Sequence, residues 1–295
     1  MLVSNNKISS PLRYPGSKSS LTNYIAAIIE ENLLSGCIIY EPYAGSAVVS
    51  LEMLIRGFVQ RAVLVERDPL VYAFWKAVFE SAEELCEEVN QLDVTIETWE
   101  SFQLYREVAE PKGHDILKLG LACLFFNRTN FSGIIGAGPI GGRSQSSNYS
   151  IDCRFNKNRV IQQIREVSSL KEKVSVYFDD ALEFMKNKEK EIENDFSFVY
   201  IDPPYYSQGK KLYRYYYDDK LHKKLASYIL KKEFPWLISY DDHPKIRMLY
   251  ADKVSQPIYM DYSLKSSRQG SELLISNLVI PPLSFAVSHC SMSVS

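Results

Sequence analysis

Cysteine is scarce in this chain: five in 295 residues, with no two spaced as Cys-x-x-Cys. Cys37, Cys86, Cys123, Cys153 and Cys290 are scattered and odd in number, which argues against both a disulfide framework and a thiolate metal site. A reduced, cytoplasmic chain is the expectation. Histidine is scarcer still, four in all. His114, His222 and His243 stand in polar helical or loop contexts with no second ligand at metal spacing, so no metal is expected. No apolar run approaches the ~18 residues that read as a membrane span, and the first ten residues lack the apolar stretch of a secretory leader. A surplus of either charge is missing too: 34 Lys and Arg against 36 Asp and Glu leave a formal −2. A polyanionic partner would have to be held by a local patch and not by the field of the whole molecule. There is no internal repeat.

What is present is an ordinary apolar content, 46%, in a length that suits one large domain or a catalytic domain with a smaller insert. Strand signals alternate with helices. A strand at Cys37–Tyr40 runs into the loop Glu41-Pro42-Tyr43-Ala44-Gly45-Ser46, and a helix follows from about Ala47 to Arg56. A second strand, Ala62–Val65, ends at Glu66-Arg67-Asp68-Pro69, with Pro69 suited to the first turn of the next helix. This alternation predicts an α/β fold on a parallel, doubly wound sheet. The pattern then breaks into Glu-rich helices over about Leu70 to Leu124. A Gly, Ser, Asn and Arg-rich stretch, Asn127 to Tyr149, reads as a hairpin or extended loop, and a helix over about Asn156 to Ser168 closes the insert. The α/β pattern resumes with strands at Val174–Phe178 and Phe196–Ile201, then at Trp236–Tyr240, Ile258–Tyr262 and Glu272–Leu278. Residues 1–69 and 170–282 thus form one catalytic unit, 70–169 an insert, and 283–295 a tail with few packing signals.

The segment that carries chemistry is Asp202-Pro203-Pro204-Tyr205, placed after a buried strand. In open α/β sheets the carboxyl ends of the strands are where ligands bind. A carboxylate, a rigid turn and an aromatic ring at one point suit methylation of an exocyclic amino group. The lone pair of such an amine is delocalised into its ring. Asp202 and the Pro203 carbonyl can accept its hydrogens, draw the nitrogen towards a tetrahedral shape and free the pair for attack. Pro203 and Pro204 fix φ and leave carbonyls unpaired. Tyr205 offers a stacking face for a base taken out of the duplex. The plainer account is a strand that ends in a Pro-Pro turn with an exposed acid.

Other strand ends carry weaker signals. In Arg13-Tyr14-Pro15-Gly16-Ser17-Lys18, Gly16 permits close backbone approach, while Lys18 and Tyr14 supply a cation and an aromatic face for S-adenosylmethionine; the segment is equally readable as a turn. The loop holding Glu41 and Gly45 would let a ligand reach backbone amides at a helix start. Glu66, at the end of the next strand, suits a ribose diol. Asp180 can accept a purine amino group or simply cap the next helix.

Together these segments resemble the Dam-type (D12-class) N6-adenine DNA methyltransferases. The matching stretches are Leu12–Lys18 (LRYPGSK), Glu41–Val48 (EPYAGSAV), Asp202–Tyr205 (DPPY) and Glu272–Asn277 (ELLISN), within a similarity running from about Pro11 to Leu278. The resemblance implies a Rossmann-like methyltransferase fold that binds S-adenosylmethionine, with an inserted, mostly helical target-recognition domain. It places Tyr14, Lys18, Glu66 and Asp202 at the cofactor, and Asp202, Pro203 and Tyr205 at the target adenine. It also implies double-stranded DNA as substrate and leaves open a cognate restriction endonuclease as a second partner. The family often has Gly where this chain has Ala47, which adds a methyl group near the cofactor.

For DNA, the stretch Asn127–Arg165 holds six basic residues, Arg128, Arg143, Arg154, Lys157, Arg159 and Arg165, against the single acid Asp152. Arginine suits both phosphate and guanine. Asn127, Arg128 and Asn130 open a segment similar to the family's DNA-reading hairpin, and Arg143 follows it. After the Asp202 tetrad, Lys210, Lys211 and Arg214 are interleaved with tyrosines, a pattern that can hold phosphates and stack bases or lie in a core. Ser266–Gly270 reads as a polar loop. Two alternatives remain. One is the same chemistry on RNA or on a protein glutamine amide. The other is a non-catalytic DNA-binding module that keeps the fold.

Overall fold

A computed structural model describes residues 9–13, 18–264 and 266–282. Tyr14 and Gly16 lie outside the described residues, as do the side chain of Lys211 and the 283–295 tail. In chain order the elements are α1 (Thr22–Glu31), β1 (Cys37–Glu41), α2 (Val48–Ile55), β2 (Val59–Glu66), α3 (Pro69–Glu80), α4 (Ala82–Gln91), α5 (Ile96–Ser101), α6 (Ile116–Thr129), α7 (Lys157–Ser168) and β3 (Val174–Phe178). They continue with α8 (Ala181–Asn187), α9 (Glu189–Asn194), β4 (Ser197–Ile201), α10 (Gly209–Leu212), α11 (Asp219–Ile229), β5 (Trp236–Asp241), α12 (Pro244–Leu249), β6 (Val254–Leu264) and β7 (Ser266–Ser276).

The strands form one mainly parallel sheet of seven in the order β3-β2-β1-β4-β5-β7-β6. β1 pairs in parallel with both β2 and β4, and β7 runs antiparallel to β5 and β6. The chain winds outward from β1 through β2 to β3, then returns to lay β4 on the other side of β1. The gap between the carboxyl ends of β1 and β4 is therefore the point where the winding reverses, and a crevice opens there in such sheets. Glu41 ends β1, and Asp202 directly follows β4. β4 is buried along its whole length, as expected of an apolar strand covered on both faces.

The helices between β2 and β3 do not build a core of their own. Phe74 and Trp75 of α3 and Phe125 and Phe126 of α6 are buried in the same cluster as Ala47 and Leu51 beside and on α2, and Leu64 of β2. α3 and α6 approach closely because residue 120 has no side chain: a Cβ on Gly120 would fall 2.9 Å from the Ala73 carbonyl oxygen. Side chains cap α3 and α7. Asp68 accepts the Leu70 amide with Pro69 in the first turn of α3, and Asn156 accepts the Arg159 amide at the start of α7.

Two expectations change. Of the hairpin or extended loop expected over Asn127–Tyr149, the loop forms, but only after a helical start. α6 continues to Thr129, a single 3-10 turn follows at Phe131–Gly133, and Asn130 and Pro139 form one isolated bridge. The polar residues that looked like loop composition turn inward and hold the turn together. Residues 266–270, expected as a loop, belong to β7, because the β6–β7 pairing extends to Leu264 and Ser266. Among the described residues no helix is long and apolar enough to cross a membrane, and no group of three or more His, Cys, Asp or Glu could hold a metal ion.

Candidate active site

The carboxyl ends of β1, β2, β3 and β4 surround one cavity. Lys18, Glu41, Gly45, Glu66, Asp180 and Asp202 all line it. Residues up to 184 positions apart in sequence thus meet because four strand ends and the N-terminal segment converge.

At its base Lys18, only 2% exposed, places Nζ 2.7 Å from Asp202 Oδ1 and 2.9 Å from Oδ2. Nζ also donates to the Tyr205 hydroxyl (3.1 Å) and lies 3.7 Å from Glu272 Oε1. Burial alone would lower the ammonium's pKa. The carboxylates of Asp202 and Glu272, then Tyr205 and Tyr200, overcome this and hold it well above the ordinary lysine value. Asp202 Oδ1 accepts a second hydrogen bond, from Ser239 Oγ (2.9 Å), and Ser239 in turn is paired with the Tyr200 hydroxyl. Past the tetrad, Asp241 accepts the amides of Tyr206 (2.7 Å) and Ser207 (2.9 Å) and so fixes the turn that leaves Tyr205. Pro204 lines the cavity and Pro203 is buried.

The acids higher in the cavity are held by the chain itself. Glu41 is buried and accepts the Ser50 amide (3.1 Å) and the Ser50 hydroxyl. Burial pushes its carboxyl up to about 8, against the pull of those two hydrogen bonds. Glu66 accepts three amides, from Gly45 (3.0 Å), Arg67 (2.9 Å) and Asp68 (2.9 Å), yet burial still raises its carboxyl to about 7. Gly45 thus gives its amide to Glu66. Its carbonyl accepts from the Trp75 indole (2.9 Å), which ties the loop to α3. Asp180 caps α8 through the Leu182 and Glu183 amides and pairs with Arg67 (3.1 Å).

Several residues expected at DNA face inward. Asn127 is 1% exposed; its side chain accepts the Arg13 amide (2.7 Å) and donates to the Arg13 (2.6 Å) and Gly133 (3.1 Å) carbonyls. Asn130 is fully buried, accepts the Trp99 indole N–H (2.7 Å) and donates to the Ile134 and Ile135 carbonyls. Arg128 donates to the Pro11 carbonyl and to Gln163, and burial lowers its guanidinium to about 10. Arg214 pairs with Asp68 (3.1 Å) and donates to the carbonyls of Arg106 and Val108. These four brace the protein: the amides of Asn127 and Asn130 are buried and bonded inside the chain, while the guanidinium groups of Arg128 and Arg214 are partly buried. Arg143, Arg154 and Arg159 are exposed, with Arg143 near Glu100 (3.5 Å). Lys210 is exposed at a second cavity, lined also by the 133–137 loop and sharing Asp68, Tyr213 and Arg214 with the first.

The sequence reading missed Ser239, Asp241 and the role of Glu272. Ser239 gave one signal, a hydroxyl inside an otherwise apolar strand. Glu272 gave another, an acid opening the apolar run Leu273-Leu274-Ile275. Neither signal says which neighbour the strand will bring.

Compared with known families, residues 14–264 match the D12 class N6 adenine-specific DNA methyltransferase family. A search of the curated proteins found no match.

Proposed function

The chain belongs to the D12 class N6 adenine-specific DNA methyltransferase family, an enzyme family whose reaction is DNA adenine methylation, and on that premise we propose that it transfers a methyl group from S-adenosylmethionine to N6 of an adenine turned out of the duplex. The carrying observation is the convergence of Lys18, Glu41, Glu66, Asp180 and Asp202 on one cavity at the reversal point of the sheet. Glu66 would hold the ribose diol and Asp180 the purine amino group. When bound, S-adenosylmethionine supplies a methyl group on positively charged sulfur.

Asp202 and the Pro203 carbonyl accept the hydrogens of the amine and localise its lone pair. Ser239 and Lys18 fix the Asp202 carboxylate in place. Tyr205 stacks on the base, and after transfer the surplus proton on nitrogen leaves to solvent. Residues 1–69 and 170–282 act as a Rossmann-like catalytic unit. Residues 70–169 present Arg143, Arg154 and Arg159 to the duplex, with Lys210 at the second cavity. The mark would shield its site from a cognate restriction endonuclease.

The test is expression in a bacterium free of adenine methylation, followed by single-molecule sequencing of its DNA. N6-methyladenine should appear at one sequence motif and vanish with Asp202→Ala, while circular dichroism shows that variant folded. Full methylation by Asp202→Ala would end the proposal.

A further inference from the structure

Glu272 stands behind Lys18 at the base of the site and has no part in the proposed reaction. It opens the core-facing part of β7, is 1% exposed, and stands opposite Asp241 of β5 in the antiparallel register. Its Oε1 accepts the Tyr205 hydroxyl and lies 3.7 Å from Lys18 Nζ. The same ammonium faces both oxygens of Asp202, at 2.7 and 2.9 Å, and Oδ1 also holds Ser239. Those are the oxygens an incoming amine needs. Charge-assisted contacts of this length are strong, so an amine would compete poorly while Lys18 stays. Yet a buried ammonium cannot be left without an anion, because its desolvation is then uncompensated. Lys18 can therefore release Asp202 only towards another carboxylate, and Glu272 Oε1, 3.7 Å away, already stands within ion-pair distance of it.

We infer that Glu272 is a positioning residue that takes over the Lys18 ammonium as the target amine engages Asp202, and that it holds the Tyr205 ring in place through the hydroxyl meanwhile. The inference rests on the reading of Asp202 as the acceptor of that amine. No proton or electron changes hands in the exchange; one ion pair replaces another.

Glu272→Gln keeps the volume and an acceptor for Tyr205 but removes the charge. Its kcat should fall roughly 10- to 100-fold, with KM for DNA and the calorimetric Kd for S-adenosylmethionine within about threefold of wild type, the signature of an interaction needed after binding. Glu272→Asp keeps the charge and loses packing, so it should be the faster of the two; a purely structural role predicts the reverse order. Lys18→Met combined with Glu272→Gln should be no slower than Lys18→Met alone, since the trap requires the ammonium. Retention of kcat in Glu272→Gln, equal loss of cofactor affinity, or additive losses in the double variant would each overturn the inference. Should Glu272→Gln fail to fold, the ranking of Glu272→Asp against wild type decides: a loss of cofactor affinity matching its loss of kcat refutes the handover. An inactive wild type sinks the functional reading and this inference together, whereas an active wild type with an equally active Glu272→Gln sinks only the inference.

Discussion

Ala47 precedes α2 with φ 49°, in the left-handed region, and is fully buried. An L-residue there costs ~1–2 kcal/mol. Glycine would relieve that strain, but it gives up about 0.8 kcal/mol of buried methyl and ~0.4–1 kcal/mol through the freer unfolded chain. The terms nearly cancel. Ala47→Gly should therefore shift the urea midpoint very little, by an amount equivalent to less than about 1 kcal/mol. Ala47→Val should be far worse, since a β-branched side chain is an outlier at positive φ. Equal stability of the valine and glycine variants would show that the backbone here relaxes freely. The sequence comparison marked this position as unusual without giving the reason. The reason is conformational: the turn from β1 into α2 needs a left-handed residue, and no periodicity in the surrounding sequence announces a single positive φ.

At the scale of elements, Asn127 near the end of α6 grips both backbone groups of Arg13 and the carbonyl of Gly133. Gly133 itself has φ 75°, and a Cβ on it would fall 2.5 Å from the Arg13 carbonyl oxygen. The end of the helical insert is thus stapled to the N-terminal segment at Arg13. Asn127→Ala removes three hydrogen bonds and strands buried backbone groups, so a loss of about 3 kcal/mol is expected, read as a lower urea midpoint together with weaker cofactor binding. A variant of normal stability that lost only DNA affinity would restore the base-reading role first expected of Asn127. The parallel strands were legible because each holds a short apolar run that meets a charged or turn residue: β1 at Glu41-Pro42, β4 at Asp202-Pro203. The insert was not, because Asn127, Arg128 and Asn130 look the same in sequence whether they face DNA or their own backbone. The polar stretch 266–270 misled for a related reason: pairing with β6 extends the strand well past its apolar part.

Across the whole molecule, two buried acids make stability depend on pH. Glu41 and Glu66 ionise near 4.5 in an unfolded chain but near 8 and 7 in the fold. The native state then binds more protons than the unfolded one throughout that interval, so their contribution is full at low pH and is lost as pH rises through the folded values. His222, buried beside Tyr240, is lowered below 6.5 by burial and acts in the opposite sense only below that pH. Between pH 6.5 and 8 the melting temperature of the ligand-free protein should therefore fall, and Glu41→Gln should flatten the decline. A melting temperature that rises across this interval in the wild type would contradict the burial of these carboxyls.

The contacts of Lys18 with Asp202, Tyr205 and Glu272 bear on how a copy of this protein comes into being. The ammonium is made early by the ribosome, its counter-anions late, and the last of them arrives with β7. A nascent or proteolytically clipped chain that stops before position 272 has β5 without the strand that flanks it and a lysine with half of its charge balance. Contacts this distant in sequence also form slowly. Competence should therefore switch on with synthesis of the final strand and not accumulate with length.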